Sequence, residues 1–222
     1  VKPRIAVGPN GHMYAVWQHC MDEGNCGDKR IYAATVDEGG SWGEPIVITY
    51  LTGSAPNGAI DGLRTALSIQ PDVAVDADGV AHIVWSDAGT GREGAGGAPV
   101  WSGAMRDDTR DIVYRTWDGS AGAEGLSVAE VVSVGDEMGD APMETPRIAV
   151  GESGPAVVFT GYVDLIGNPR ENEVFYSTRA QDGWSAVMIS PRDTHTSPID
   201  GFDAGALFPV IAIDKDDVRH VA

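Results

Sequence analysis

Cysteine is almost missing from this 222-residue chain, which holds only Cys20 and Cys26. A disulfide-rich framework is thereby excluded, and no CxxC pair or His-rich spacing offers a zinc site. The short polar loop between the two cysteines includes Gly24 and can bring the sulfurs within bonding distance, so a Cys20–Cys26 disulfide and an exported protein are favoured over free thiols. No apolar run approaches the roughly 20 residues that cross a bilayer, and membrane insertion is not expected. The first residues lack a basic start followed by an apolar stretch, so an export signal is expected upstream of Val1. Basic side chains are scarce: 15 Lys and Arg stand against 33 Asp and Glu, a formal charge of -18. Such a chain repels phosphate backbones and anionic membranes, which makes nucleic acid a poor partner. A cationic ligand, a metal ion, or a plain solubilising acidic surface fits the charge better.

What the chain does have is glycine and proline, 29 and 13 residues, with 42% hydrophobic residues. Both residues weaken helix interiors and serve turns, so many short strands in one all-β domain are expected. A five-residue idea recurs four times: Pro3-Arg4-Ile5-Ala6-Val7, Pro71-Asp72-Val73-Ala74-Val75, Pro146-Arg147-Ile148-Ala149-Val150 and Pro209-Val210-Ile211-Ala212-Ile213. The copies stand 68, 75 and 63 residues apart, enough for a four-stranded unit with loops. Each is followed by a Gly- or Asp-rich turn and a second apolar strand carrying Trp17, Trp85 or Phe159, a recurrence that points to blade core. Third strands are expected at Ile31 to Thr35, Ile112 to Thr116 and Val174 to Thr178. Fourth strands are expected at Pro45 to Thr49, Ala129 to Ser133 and Ala186 to Ser190.

A recurring antiparallel A-B-C-D sheet covers its faces by stacking on its copies, and radial stacking gives a β-propeller. A flat solenoid or a sandwich is the alternative. The whole chain, 1–222, reads as one partial propeller domain: blade 1 about 1–49, blade 2 about 71–133, blade 3 about 146–190, and a half blade about 208–222. His220-Val221-Ala222 aligns with His82-Ile83-Val84, so the segment is expected to be a fragment whose remaining blades belong to a parent chain. Expressed alone, it is expected to self-associate through open strand edges.

Alternation sorts the loops. A-B and C-D turns share one face and are short; every long connection falls on the other face, where a ligand site is expected. Arg4 and Arg147 stand there at the starts of strands A, and Trp101, Tyr50 and Tyr162 lie in long loops where a ring can stack on a sugar. Asp76 and Asp78, like Asp214, Asp216 and Asp217, offer oxygens for calcium, but they lack the longer acidic series with a distal Glu, so a hairpin turn is the stronger reading. No cofactor is expected, calcium being the one candidate.

After the first strand C comes Thr35-Val36-Asp37-Glu38-Gly39-Gly40-Ser41-Trp42, the pattern Ser/Thr, any, Asp, any, Gly, any, Ser/Thr, Trp. Asp37 can accept turn amides, Gly39 can take a positive φ, and Trp42 can cover the hairpin. Weaker echoes follow at Thr116-Trp117-Asp118-Gly119-Ser120 and at Thr178 to Trp184. On these residues the chain resembles the BNR or Asp-box propellers of the sialidase-like superfamily across nearly its whole length. The resemblance implies that Thr35, Asp37, Gly39, Ser41 and Trp42 are structural and lie opposite any active site.

Sialidases hold a substrate carboxylate with three arginines, the first from an Arg-Ile-Pro sequence. Arg4-Ile5 and Arg147-Ile148 look similar, but Ala follows in both; the matching residues elsewhere are Asp72 and Val210, and no second arginine is evident at Gln18-His19. A general acid would come from Asp22, Glu23 or Asp28, and a nucleophilic Tyr with its Glu from later blades. Three functions remain open: an extracellular or cell-surface module recognising a glycan or protein, an exo-acting glycoside hydrolase of the sialidase type, and a structural repeat.

Overall fold

The computed structural model describes residues 3–9, 11–20, 29–36, 40–49, 68–87, 110–134, 143–163, 171–181, 183–190 and 208–222, excepting the side chains of Tyr162, Val163 and Glu171. The first sheet holds β1 (Arg4–Val7), β2 (Met13–Cys20), β3 (Lys29–Thr35) and β4 (Ile46–Val47). The second holds β5 (Ser68–Val75), β6 (Ala81–Asp87), β7 (Asp111–Trp117) and β8 (Glu130–Val131), with a 3-10 segment at Gly119–Gly125. The third holds β9 (Met143–Gly151), β10 (Gly154–Val163), β11 (Glu171–Ala180) and β12 (Gly183–Met188). A two-stranded sheet of β13 (Ile211–Ile213) and β14 (Arg219–Val221) follows. Within each sheet the strands pair antiparallel in chain order, as the A-B-C-D repeat requires.

The sheets stack face on face, and their first strands form a hub: β5 lies against β1 and β9, and β9 against β13. Burial records the stacking. All seven residues of β6 are buried because sheets cover both its faces, whereas β2 alternates. Blade 1 has one face uncovered, where Ile5 and Val7 are 63% and 62% exposed. Trp17 shares that face, since it stands two residues beyond Ala15, the register partner of Ile5, and it stacks on Tyr32 at 6.0 Å. Trp17 is therefore half-buried, not core as its recurrence suggested, while Trp85 and Phe159 are fully buried.

The core is two inter-blade layers. Tyr14, Val16, Ile31 and Ile48 meet Ile83, Trp85, Val113 and Trp117; Val84, Ile112 and Tyr114 meet Ile148, Val157, Phe159 and Phe175. An edge-on aromatic pair recurs near the C-D turns, Tyr14 with Trp117 at 5.4 Å and Tyr114 with Trp184 at 4.9 Å. A staple also recurs: Arg115 Nη1 donates to the Ile48 carbonyl, and Ser177 Oγ, at the same place one blade on, donates to that of Val132.

The A-B hairpins turn through one positive-φ position, filled by Gly11, Gly79, Gly154 and, in the last sheet, Asp217 at φ 59. Asp tolerates this region better than most side chains, which is why the turn survives without glycine. Gly161 is required by space instead: a Cβ there would stand 2.3 Å from Met143 Sδ and 3.0 Å from Phe175 Cε2. Gly161→Ala is expected to cost about 1–3 kcal/mol by overpacking, read as a lowered urea midpoint.

Candidate ligand site at the hub

Strand lengths shift one expected site residue. β10 runs to Val163 and pairs Tyr162 with Asn172, so Tyr162 stands on a strand rather than in a loop. Antiparallel pairing simply continues past Thr160, where the sequence shows no break that would stop it. Trp101 and Tyr50 lie outside the described residues, as do the acids Asp22, Glu23 and Asp28.

Where the strands A begin, a backbone feature recurs that the sequence showed only as prolines. Gln70, Thr145 and Phe208 each precede the repeat proline and have φ of 55, 50 and 59. Residues before proline are driven towards extended geometry, so each such position costs on the order of 1–3 kcal/mol. Bulges accompany the first two, in the β5–β6 and β9–β10 pairings. They turn polar groups towards the neighbouring blade: Gln18 Oε1 accepts the Gln70 amide at 3.1 Å, and Gln70 Oε1 accepts the Thr145 amide at 2.7 Å. Thr145 Oγ1 then shares a proton with Thr160 Oγ1 at 2.8 Å.

One layer further in, Arg4, Asp72, Arg147 and Val210 occupy the same position of four successive strands A. The two arginines differ. Arg4 Nε lies 3.4 Å from Asp72 Oδ1, whose other oxygen accepts the Ile148 amide of blade 3 at 3.0 Å. Burial pushes the Asp72 carboxyl up, against the lowering pull of the Ile148 amide and both guanidiniums. Arg147 donates to the Pro146 carbonyl at 2.7 Å, and the next blade offers it Val210 in place of an acid. No carboxylate among the described residues lies within ion-pair distance of Arg147, which is half-buried; burial lowers its pKa, with Arg4 adding to the effect and Asp72 opposing it.

The same face carries buried acids that sequence reasoning missed. Asp87 and Asp111 are register partners; Asp87 Oδ2 accepts from Trp85 Nε1 at 2.8 Å and Ser68 Oγ at 2.7 Å, and Asp111 Oδ1 from Ser133 Oγ at 2.7 Å. Blade 3 repeats this with Glu173 and Ser190, and Arg110 of blade 2 pairs with Glu144. The signal was present in the hydroxyls Thr49, Ser133 and Ser190, which close the strands D and accept the amides of Ile31, Ile112 and Val174.

The opposite face carries the A-B and C-D turns, whose acids bond locally. Asp76 Oδ1 accepts the Asp78 and Val80 amides, and its Oδ2 meets His82 Nε2 at 3.0 Å; Asp214 repeats this with Asp216, Val218 and His220. These are the hairpin bonds expected of the acidic turns. His82 Nδ1 also meets Tyr114 OH at 2.7 Å, and burial drives that phenol upward. Burial alone would raise Asp76, but His82 and the turn amides outweigh it and hold the carboxyl below its usual range. Its contribution to stability is present above the unfolded value of about 3.9 and is lost as pH falls through the lower folded value. Asp76→Asn is thus expected to flatten the acid side of the urea-midpoint profile below about pH 5 relative to the parent chain.

At the turn after β3, Thr35 Oγ1 donates to the Met13 carbonyl at 3.0 Å and Val36 bridges to Trp42. Asp37 and Gly39 lie outside the described residues; Ser41 is exposed and Trp42 49% exposed, so the indole covers its hairpin only in part. The echo in blade 2 makes the expected turn, Asp118 accepting both the amide and the hydroxyl of Ser120. Cys20 is disulfide-bonded, and Cys26, the only other cysteine in the sequence, lies outside the described residues.

No protein-family model matches the chain, and no curated protein matches it. Solved structures do. The intramolecular trans-sialidase from Ruminococcus gnavus, in complex with oseltamivir carboxylate, superposes with TM-score 0.56 at 11% identity, covering 100% of this chain and 65% of that one. The Hadza microbial sialidase Hz136 gives 0.51 at 14%, covering 83% and 36%. A xylan β-1,4-xylosidase from Bacillus halodurans gives 0.50 at 14%, covering 99% and 36%. The fold is a β-propeller of four-stranded antiparallel blades. The chain spans between 36% and 65% of the length of these three neighbours.

Proposed function

We propose that the chain is a propeller module of the Asp-box kind, in an exported or cell-surface protein, that recognises an acidic glycan through its long-loop face. The observation that carries this reading is Arg147: a half-buried guanidinium at the hub with no carboxylate among the described residues within ion-pair distance, beside an arginine that has one. A partly desolvated cation binds an anionic group more strongly than an exposed one does, and its planar fork suits a carboxylate. Gln18 and Gln70, half-buried near the start of the strands A, add neutral polar side chains of the sort that hydrogen-bond sugar hydroxyls. The Cys20 disulfide supports export, and the partial Asp-boxes of blades 1 and 2 support the family. A glycan array comparing acidic glycans with their neutral counterparts tests the reading. Retention of acidic glycans is expected, and an array without acidic ligands sinks it.

A second reading, exo-acting glycoside hydrolysis, is favoured by Asp87 and Asp111, two acids side by side at the ligand edge of blade 2. Glycosidic cleavage draws on such a pair when its separation suits the stereochemical course. Release of fluorophore from sialosides or xylosides is its test, and loss of that activity in Asp87→Asn is expected if the pair acts.

A further inference from the structure

At the inner ring an acid interrupts a series of arginines. Among the described residues, Arg4 on β1 and Arg147 on β9 are the charged groups that face Asp72 from the strands packed against β5; β5 itself contributes the Val73 amide. The Asp72 side chain is 13% exposed, against 41% for Arg4, so the acid sits below the more accessible guanidinium. With Asp72 ionised the three groups carry one net positive charge, and with Asp72 neutral they carry two. A ligand carboxylate arriving here does electrostatically what Asp72 does in the empty ring. Two carboxylates held beside the same pair of guanidiniums repel each other, and the one that can shed its charge by taking a proton does so.

We propose that Asp72 is an internal counter-ion whose protonation accompanies ligand binding: a carboxylate-bearing sugar settles against Arg147 and the exposed side of Arg4, and Asp72 takes up one proton from solvent. This rests on the reading of Arg147 as the ligand cation. Asp72 is suited to the role because burial has already moved its carboxyl upward, so neutralising it is less costly than for an exposed acid. The neutral acid also keeps one oxygen for the Ile148 amide, so the contact between blades 2 and 3 survives protonation. Affinity then rises as pH falls, by up to about tenfold per pH unit, and levels off once Asp72 is protonated in the empty ring as well.

Titration calorimetry of the full 222-residue chain with glucuronate tests this between about pH 5 and 8, where the sugar stays ionised. Two buffers of different ionisation enthalpy count the protons, and glucuronate methyl ester is the neutral control. Tighter binding at lower pH with uptake approaching one proton is expected, and the ester should show no pH dependence. Asp72→Asn keeps an acceptor for Ile148 and is expected to bind glucuronate with flat pH dependence, near the parent's low-pH affinity. Carbon NMR of the parent chain gives a second reading that needs no variant, the Asp72 carboxyl titrating at higher pH when glucuronate is present. Glucuronate binding that is pH-flat and proton-neutral overturns the coupling and leaves the ligand reading standing; so does pH dependence that persists in Asp72→Asn, or an Asp72 resonance that glucuronate leaves unmoved. Absence of glucuronate binding at every pH overturns both.

Discussion

Trp85→Ala is expected to lower the unfolding free energy by about 3–5 kcal/mol, the range for emptying a buried aromatic site. Its side chain is fully buried between blades 1 and 2, and the substitution also removes the indole donor from Asp87 Oδ2, which accepts from Ser68 Oγ as well. A buried carboxylate that loses a donor adds to the loss of packing. Urea unfolding followed by fluorescence and by circular dichroism measures the change. Trp17→Ala, at the same position of blade 1, is the internal comparison: that indole stacks on Tyr32 on an uncovered face, and a loss within about 1 kcal/mol is expected. Equal losses at the two positions would contradict the assignment of blade 1's outer face as uncovered.

Arg147→Gln is expected to weaken binding of an acidic glycan by roughly 10- to 100-fold, the equivalent of a hydrogen bond to a charged group worth about 1.5–3 kcal/mol. Arg4→Gln should weaken it less, because Arg4 lies within ion-pair distance of Asp72, whereas Arg147 is acted on by that carboxylate from further away and is partly desolvated. Calorimetry with glucuronate as the probe separates the two variants. A larger loss at Arg4 than at Arg147 would reverse their assigned roles. Circular dichroism and the urea midpoint of Arg147→Gln separate lost binding from lost folding; the one hydrogen bond described for this side chain is a local contact to Pro146.

Much of the fold was legible because the repeat is written in side chains whose chemistry demands it. Proline marks each strand A, standing three residues into β5 and β9 and just ahead of β1 and β13, alternating apolar residues follow, and Gly or Asp turns the hairpin, as Gly11, Gly79, Gly154 and Asp217 bear out. The acidic turns were legible for the same local reason: Asp76 and Asp214 bond amides two and four residues on. The burial of Trp17 was not, because a side chain's recurrence says which face it is on and nothing about what covers that face. Tyr162 was misplaced because the turn residues Gly167-Asn168-Pro169 leave open how far backbone pairing runs before them.

The candidate site was half legible. Arg4 and Arg147 stood out as a repeated residue at a repeated position, but their sequences are nearly identical and their surroundings are not. The buried acids Asp87, Asp111 and Glu173 were invisible as a set, since their partners Ser68, Ser133 and Ser190 lie 17 to 22 residues away and are brought near only by strand pairing.

By itself, then, the sequence determined the period of the chain, its strand order and its turn chemistry, all of which depend on residues near one another. Tertiary structure alone decided which of two similar arginines lies within ion-pair distance of Asp72, which of two similar tryptophans is covered among the described residues, and how positive-φ residues before proline link Gln18, Gln70 and Thr145 into one layer. Those outcomes depend on the neighbouring blade, and a residue's desolvation and charge environment come from whatever packs against it, not from its place along the chain.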